Sequence, residues 1–312
     1  MKDPLMNEEL GNLPLAKAPD SIWSSIEAAL DTGLKPKRVF RPSVWAMVLT
    51  AAAALGAGLF IWYALRAPKA AWDVVRLEGT PAVGSRLIER GKIEVGEWLQ
   101  TDESSRARIA VGDIGTVEVA PNTRVRLVAS RPGEQRLRLA HGEISASVSA
   151  PPRLFFVDTP ASTAVDLGCA YTMKADGDGD GLLRVTLGWV ALEWDGRESL
   201  VPAGASCRTH QKIGPGTPYF DDASQGLREA LGRFDMGAGG GDALDTVLAE
   251  ARVRDTLTLW HLLSRVALPE RQRVYNRIVE LVPLPKGVSP VKALRLDSAT
   301  LKLWREELAW KW

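Results

Sequence analysis

The sequence predicts a mainly β chain with one transmembrane helix and a small C-terminal α-helical domain. Three observations carry this reading: an uncharged run at Val44–Leu65, short alternating runs from Trp72 to about Asp222, and a helical period from Gln225 onward. A chain of 312 residues suits roughly two folded units. Hydrophobic residues at 46% and charged residues at 25% exclude a wholly disordered chain. Lys+Arg 39 against Asp+Glu 38 leaves a net charge of +1, which argues against direct nucleic-acid binding.

Val44–Leu65 contains no charged residue, and Thr50 is among its few polar side chains. At about 1.5 Å per residue, a helix over this run covers a hydrocarbon core of about 30 Å. Trp45 lies at one end, and Trp62 and Tyr63 at the other, where amphipathic rings settle at an interface. A buried core helix and a cleaved signal peptide are the alternatives. The run is long for the first and begins late for the second. Lys35, Lys37, Arg38 and Arg41 precede it, whereas Arg66 and Lys69 follow. That excess places the N-terminus in the cytoplasm and the bulk of the chain outside it.

Residues 1–43 form a cytoplasmic tail too small for its own core. A short amphipathic helix is expected at Ser21–Leu30, with Ile22, Trp23, Ile26 and Leu30 on one face. These four are the candidate contacts for a cytoplasmic partner. A frayed juxtamembrane helix accounts for the same pattern.

Residues 72–222 read as a β domain. Strands are expected at Arg106–Val111, Thr116–Ala120, Arg124–Val128, Arg136–Leu139, Glu143–Val148 and Arg184–Leu192. Val125 and Leu127 alternate with Arg124 and Arg126, as a half-buried strand requires. Pro121-Asn122, Pro132-Gly133, His141-Gly142 and Asp195-Gly196 punctuate the runs as turns. Arg106, Arg108, Arg124, Arg126, Arg136 and Arg138 are expected on one solvated face, paired with acids or open to anionic glycans or headgroups.

Gly96-Glu97-Trp98-Leu99-Gln100-Thr101 and Val111-Gly112-Asp113 open an ordered set of motifs. Leu139-Ala140-His141-Gly142-Glu143, Val157-Asp158-Thr159-Pro160, Thr186-Leu187-Gly188-Trp189-Val190 and Pro202-Ala203-Gly204 continue it. In this order and spacing the segment Ala71–Thr209 resembles the FecR-type periplasmic domain. It differs at Gly168-Cys169-Ala170-Tyr171, where the family commonly has Gly-Thr-x-Phe, and in the shortness of its tail. The resemblance implies an antiparallel β domain on a single-span protein of the bacterial inner membrane, with its bulk in the periplasm. It also implies anti-sigma-like signal transduction in response to an envelope event, with a sigma factor or other cytoplasmic regulator as partner; read from its residues alone, the β domain takes an envelope protein or glycan as ligand. A structural or glycan-binding envelope module without a transcriptional role is the alternative.

Cys169 and Cys207 are the only cysteines, and both follow the span. An even count in an oxidising compartment predicts a disulfide, against two separate buried thiols. Asp176-Gly177-Asp178-Gly179-Asp180-Gly181 begins like a calcium loop, but Leu187 stands where a bidentate Glu is needed. A hairpin turn is the better reading. His141, His210 and His261 have no ligand-spaced partners, and no catalytic motif appears. No catalytic residue, metal site or cofactor is predicted, and the chain is not read as an enzyme.

Residues 225–312 read as a helical domain. Helices are expected at Gly226–Phe234, Asp242–Arg252, Arg254–Val266, Glu270–Leu281 and Ser298–Ala309, with Gly237–Gly241 as a connector. Leu259, Trp260, Leu263 and Val266 form one apolar stripe; Val274, Ile278 and Leu281 form another. Trp310 and Trp312 either dock on their own domain or meet a partner.

Overall fold

The computed structural model describes residues 70–237 and 240–312, together with Glu27. Val44–Leu65 and the stripe of Ile22, Trp23, Ile26 and Leu30 lie outside the described residues. Among the described residues no helix is long and apolar enough to cross a membrane. The described β and helical parts fall in one compact unit, Pro68–Trp312.

The β part runs β1 (Ala71–Glu78), β2 (Ala82–Val83), β3 (Arg86–Leu87), β4 (Arg90–Glu94), β5 (Trp98–Gln100), β6 (Arg106–Val111), β7 (Gly115–Val119), β8 (Arg124–Arg131) and β9 (Glu134–Val148). It continues β10 (Phe155–Asp158), β11 (Thr163–Asp166), β12 (Cys169–Ala175), β13 (Gly181–Leu187), β14 (Trp189–Trp194), β15 (Arg197–Pro202), β16 (Ala205–His210), β17 (Gly214–Pro215) and β18 (Tyr219–Phe220). One sheet has the order β4-β1-β6-β7-β9-β12-β13-β16, with β17 and β18 completing its edge. The other has the order β3-β2-β5-β8-β9-β10-β11-β14-β15. The β9–β10 pair is parallel and the others are antiparallel.

Strand β9 serves both sheets, which the expected break at His141-Gly142 does not foresee. Its first half pairs with β8 and β10, and its second half with β7 and β12. Gly142 sits where it changes sheets. Its φ is +96°, and a Cβ there would lie 2.3 Å from Thr123 Oγ1. That hydroxyl accepts the Glu143 N–H at 2.9 Å. The position therefore bends a continuous strand rather than ending it. The reverse occurs at Gly188. The expected strand Arg184–Leu192 divides there into β13 of one sheet and β14 of the other. Gly188 has φ +72°, and a Cβ would lie 2.1 Å from the Gly168 carbonyl oxygen.

The inward positions of the two sheets share one core. Ile93, Ile109, Ile144 and Met173 from the first meet Leu99, Leu127, Leu137 and Phe155 from the second, all fully buried. Burying each such side chain stabilises by about 1.5–3 kcal/mol. The alternation read from Val125 and Leu127 holds: both are buried, while Arg124 and Arg126 face outward. The Asp-Gly run is a turn between β12 and β13, where Ala175 pairs with Gly181. Asp176 Oδ1 accepts the Asp178 and Asp180 N–H groups, each at 3.0 Å.

Six α-helices follow: α1 (Gln225–Asp235), α2 (Gly240–Glu250), α3 (Thr256–Leu263), α4 (Leu268–Leu281), α5 (Pro290–Leu294) and α6 (Ser298–Leu308), then a 3-10 turn at Ala309–Lys311. Ser224 caps α1 by accepting the Leu227 N–H at 3.1 Å, and Asp297 caps α6 by accepting that of Thr300 at 2.9 Å. Pro269 lies in the first turn of α4. Leu231, Val247, Leu262, Ile278, Trp304 and Leu308 form the helical core.

Candidate functional site

The β14–β15 hairpin separates two open clefts. Its turn residues, Asp195 and Gly196, together with Arg197 and Glu198, line both. The first cleft, about 590 Å³, is completed by Arg136, Phe156, Thr159, Ser162 and Thr163. Strand pairing places these side chains: Asp158 faces Thr163, and Thr163 faces Glu193. Arg136 is anchored by Glu134 Oε1 at 2.7 Å and Asp158 Oδ1 at 2.6 Å, and its guanidinium lies 4.5 Å from the Phe156 ring centre. The second cleft, about 530 Å³, reaches from the same hairpin to Phe234, Ser264 and Arg265. Arg197 donates to the Ile213 carbonyl at 3.3 Å. Trp194 packs so closely on Gly214 that a Cβ there would lie 2.4 Å from its ring.

Beneath the second cleft, buried polar groups join the hairpin to the helices. Arg265 donates to Ser199 Oγ at 2.7 Å and to the Pro215 carbonyl at 3.2 Å, and its Nη1 lies 3.7 Å from Asp235. Asp235 also accepts the Thr217 N–H at 2.7 Å and the Thr217 hydroxyl at 2.8 Å. Burial pulls the Arg265 guanidinium below its usual range, opposed by the Asp235 charge. His261 of α3 lies close by. Its Nε2 accepts the Leu200 N–H at 3.0 Å, and its Nδ1 donates to the Leu257 carbonyl at 2.9 Å. Burial and the nearby Arg265 charge hold it at about 3, so it is neutral. These contacts tie the hairpin to the helices. Among the described residues no group of His, Cys, Asp and Glu could hold a metal ion.

The expected disulfide does not form. Cys169 and Cys207 are both buried and free. Cys207 pairs in register with Leu183, and Leu183 with Met173, so β13 separates the two cysteine strands. Two strand spacings of about 4.8 Å already exceed the roughly 7 Å Cα limit for a bridge, and Cys169 is further displaced along β12. Each thiol has its own acceptor: Asp166 Oδ2 for Cys169 at 2.5 Å and the Gly216 carbonyl for Cys207 at 3.1 Å.

The six arginines do not share one face. Arg106 and Arg108 belong to the first sheet, whereas Arg124, Arg126, Arg136 and Arg138 face outward from the second. Arg108 pairs with Glu118 at 2.6 Å, as a cross-strand reading expects. Trp312 docks on its own domain, donating Nε1–H to Thr256 Oγ1 at 3.1 Å with its ring 6.1 Å from that of Trp189. Trp310 remains 87% exposed. The Asp235–Arg265 pair escaped the sequence reading because its members come from separate elements, and His261 because its partner, Leu200, lies on a distant strand. The one local signal was a histidine within an apolar helix.

Against this geometry, the FecR protein family model matches residues 97–190, which span the chain from β5 into β14. No curated protein matches the chain. Two crystal structures of a proposed anti-sigma factor from Parabacteroides distasonis, at 1.65 Å and 2.50 Å resolution, are similar to it. Each shares 16% identity with a TM-score of 0.36. The likeness covers 44% of this chain and 64% of that protein, under two thirds of its length.

Proposed function

We propose that this protein, whose residues 97–190 form a FecR domain, is a single-pass signalling protein of the bacterial inner membrane. Val44–Leu65 is its span, residues 1–43 its cytoplasmic tail, and the β and helical parts its periplasmic sensor. The FecR match carries the proposal, supported by the uncharged run with its basic N-terminal flank. A ligand in either hairpin cleft would bear on β15, and β15 is hydrogen-bonded to α3 through His261. The tail, through Ile22, Trp23, Ile26 and Leu30, would act on a sigma factor or another cytoplasmic regulator. Deleting residues 1–34, which leaves the basic flank in place, should alter transcription of a target regulon. An unchanged transcriptome overturns the proposal.

The hairpin clefts also suit a second reading, an envelope module that binds a partner or glycan while the tail only anchors. Capture of a cytoplasmic protein by residues 1–43, lost in Trp23→Ala, supports signalling. Its failure favours the module.

A further inference from the structure

The outer face of the second sheet carries a group of like charges that the fold itself does not balance. Trp98 pairs in register with Arg126, and Arg126 with Arg138. Arg124 lies two residues from Arg126 on β8 and faces the same way. Like charges directly opposite on neighbouring strands destabilise a sheet. Here Arg126 and Arg138 are opposite, with Arg124 beside them at the strand repeat of about 6.8 Å.

Carboxylates border this group, but other partners hold them. Glu97 accepts from Arg86 at 2.8 Å and from the Glu94 N–H at 2.9 Å. Asp158, the register neighbour of Arg138, accepts from Arg136 at 2.6 Å and Thr163 at 2.9 Å. Glu134 accepts from Arg131 and Arg136. Among the described residues, none of Arg124, Arg126 and Arg138 has a carboxylate within ion-pair distance. Two of the three guanidinium groups are nonetheless held in place. Arg124 stacks 4.3 Å from the Trp98 ring centre. Arg126 donates Nε–H to the Gly96 carbonyl at 2.9 Å, and its terminal nitrogens lie beyond that bond. Arg138 is exposed. The exposed His141 lies opposite Arg124 in register.

We propose that the Trp98–Arg124–Arg126–Arg138 face binds a phosphate-bearing polyanion. Planar guanidinium forks held by stacking and by a backbone carbonyl are arranged for oxyanions. A lone carboxylate would neutralise only one of three adjacent charges, whereas linked phosphates neutralise all of them. Such a ligand removes the repulsion built into β8 and β9.

The test uses the full chain in non-ionic detergent, with tripolyphosphate as the probe in calorimetric titration at low salt. Binding is expected to weaken steeply as salt rises. Arg138→Gln should weaken it about tenfold, the loss of one charge-assisted contact, and R126Q/R138Q by more. The double variant should also melt at a higher temperature than wild type without ligand, because it relieves the like-charge pair. Arg108→Gln, on the other sheet, should bind as wild type does. If R126Q/R138Q does not fold, Arg138→Glu on its exposed side chain supplies the same comparison. Displacement by phosphatidylglycerol mixed micelles or by soluble poly(glycerol phosphate), each presenting several phosphates together, identifies the source of the phosphate, and either supports the assignment. No binding by wild type at low salt, or equal binding by wild type and the Arg138 variants, overturns it.

Discussion

The Nε2 of His261, inside the helical core, accepts the backbone N–H of Leu200 at 3.0 Å, on the outermost strand of the second sheet. This bond blunts a sheet edge that would otherwise present a free donor. It also requires a neutral imidazole, because a protonated Nε2 cannot accept.

Acidification should therefore destabilise the protein through His261. Its folded value is about 3 against an ordinary 6.5, with burial the main cause and Arg265 repulsion the second. Between those values the unfolded chain binds the extra proton, so stability is full above pH 6.5 and is lost as pH falls toward 3. The contribution is at most about 5 kcal/mol at 1.36 kcal/mol per pKa unit. Urea midpoints at pH 7 and pH 4.5 test it. His261→Gln, which keeps an acceptor but does not titrate, should show a smaller drop than wild type. Equal drops would contradict the role.

Removing the carboxylate from Asp235 should be costly. Asp235→Ala leaves the Arg265 guanidinium buried without its counter-charge and orphans the Thr217 N–H. A loss of about 3–5 kcal/mol is expected from breaking a buried pair. Chemical denaturation at neutral pH measures it. A loss below about 1 kcal/mol would mean that the cleft hydrates Arg265 freely.

Gly188 and Gly196 share a positive φ, +72° and +73°, but not their surroundings. A Cβ at Gly188 meets the Gly168 carbonyl oxygen, whereas one at Gly196 meets nothing within 4 Å. Gly196→Ala should cost about 1–2 kcal/mol, the left-handed backbone penalty alone. Gly188→Ala should cost that plus the displacement of the Gly168 turn that leads into β12, and should lower soluble yield sharply. Comparable melting temperatures for the two variants would contradict this account.

The thiols should stay unreactive until the protein unfolds. Burial raises both, with Asp166 reinforcing the effect at Cys169, and Cys207 is pushed up to about 12. Thiol titration without reductant should find none in the native protein and both after denaturation. Absence of thiols after denaturation would establish a bridge that the strand register forbids. Reductant should leave the melting temperature unchanged.

Much of this architecture could be read from residue patterns. Arg106–Val111 is a strand with the expected bounds, and Ser298–Leu308 ends within one residue of its expected helix. Alternation of Val125 and Leu127 with arginines, and the Asp297 cap, are local signals, and local sterics and burial suffice to act on them. The resemblance to FecR-type domains rests on turn motifs in order, and residues 97–190 match that family.

Pairing partners were decided by the fold. A glycine in an alternating run reads alike whether it bends β9 through Gly142 or divides β13 from β14 at Gly188, because the difference lies in Thr123 and Gly168 across the sheet. The cysteine count suggested a bridge, but strand order set β13 between the thiols. His261 read as a lone helical histidine until the edge of β15 met it. Side-chain pattern selects which face of each strand is buried; which strand stands beside it depends on contacts between residues far apart in the chain, and those exist only once both sheets have closed on one core.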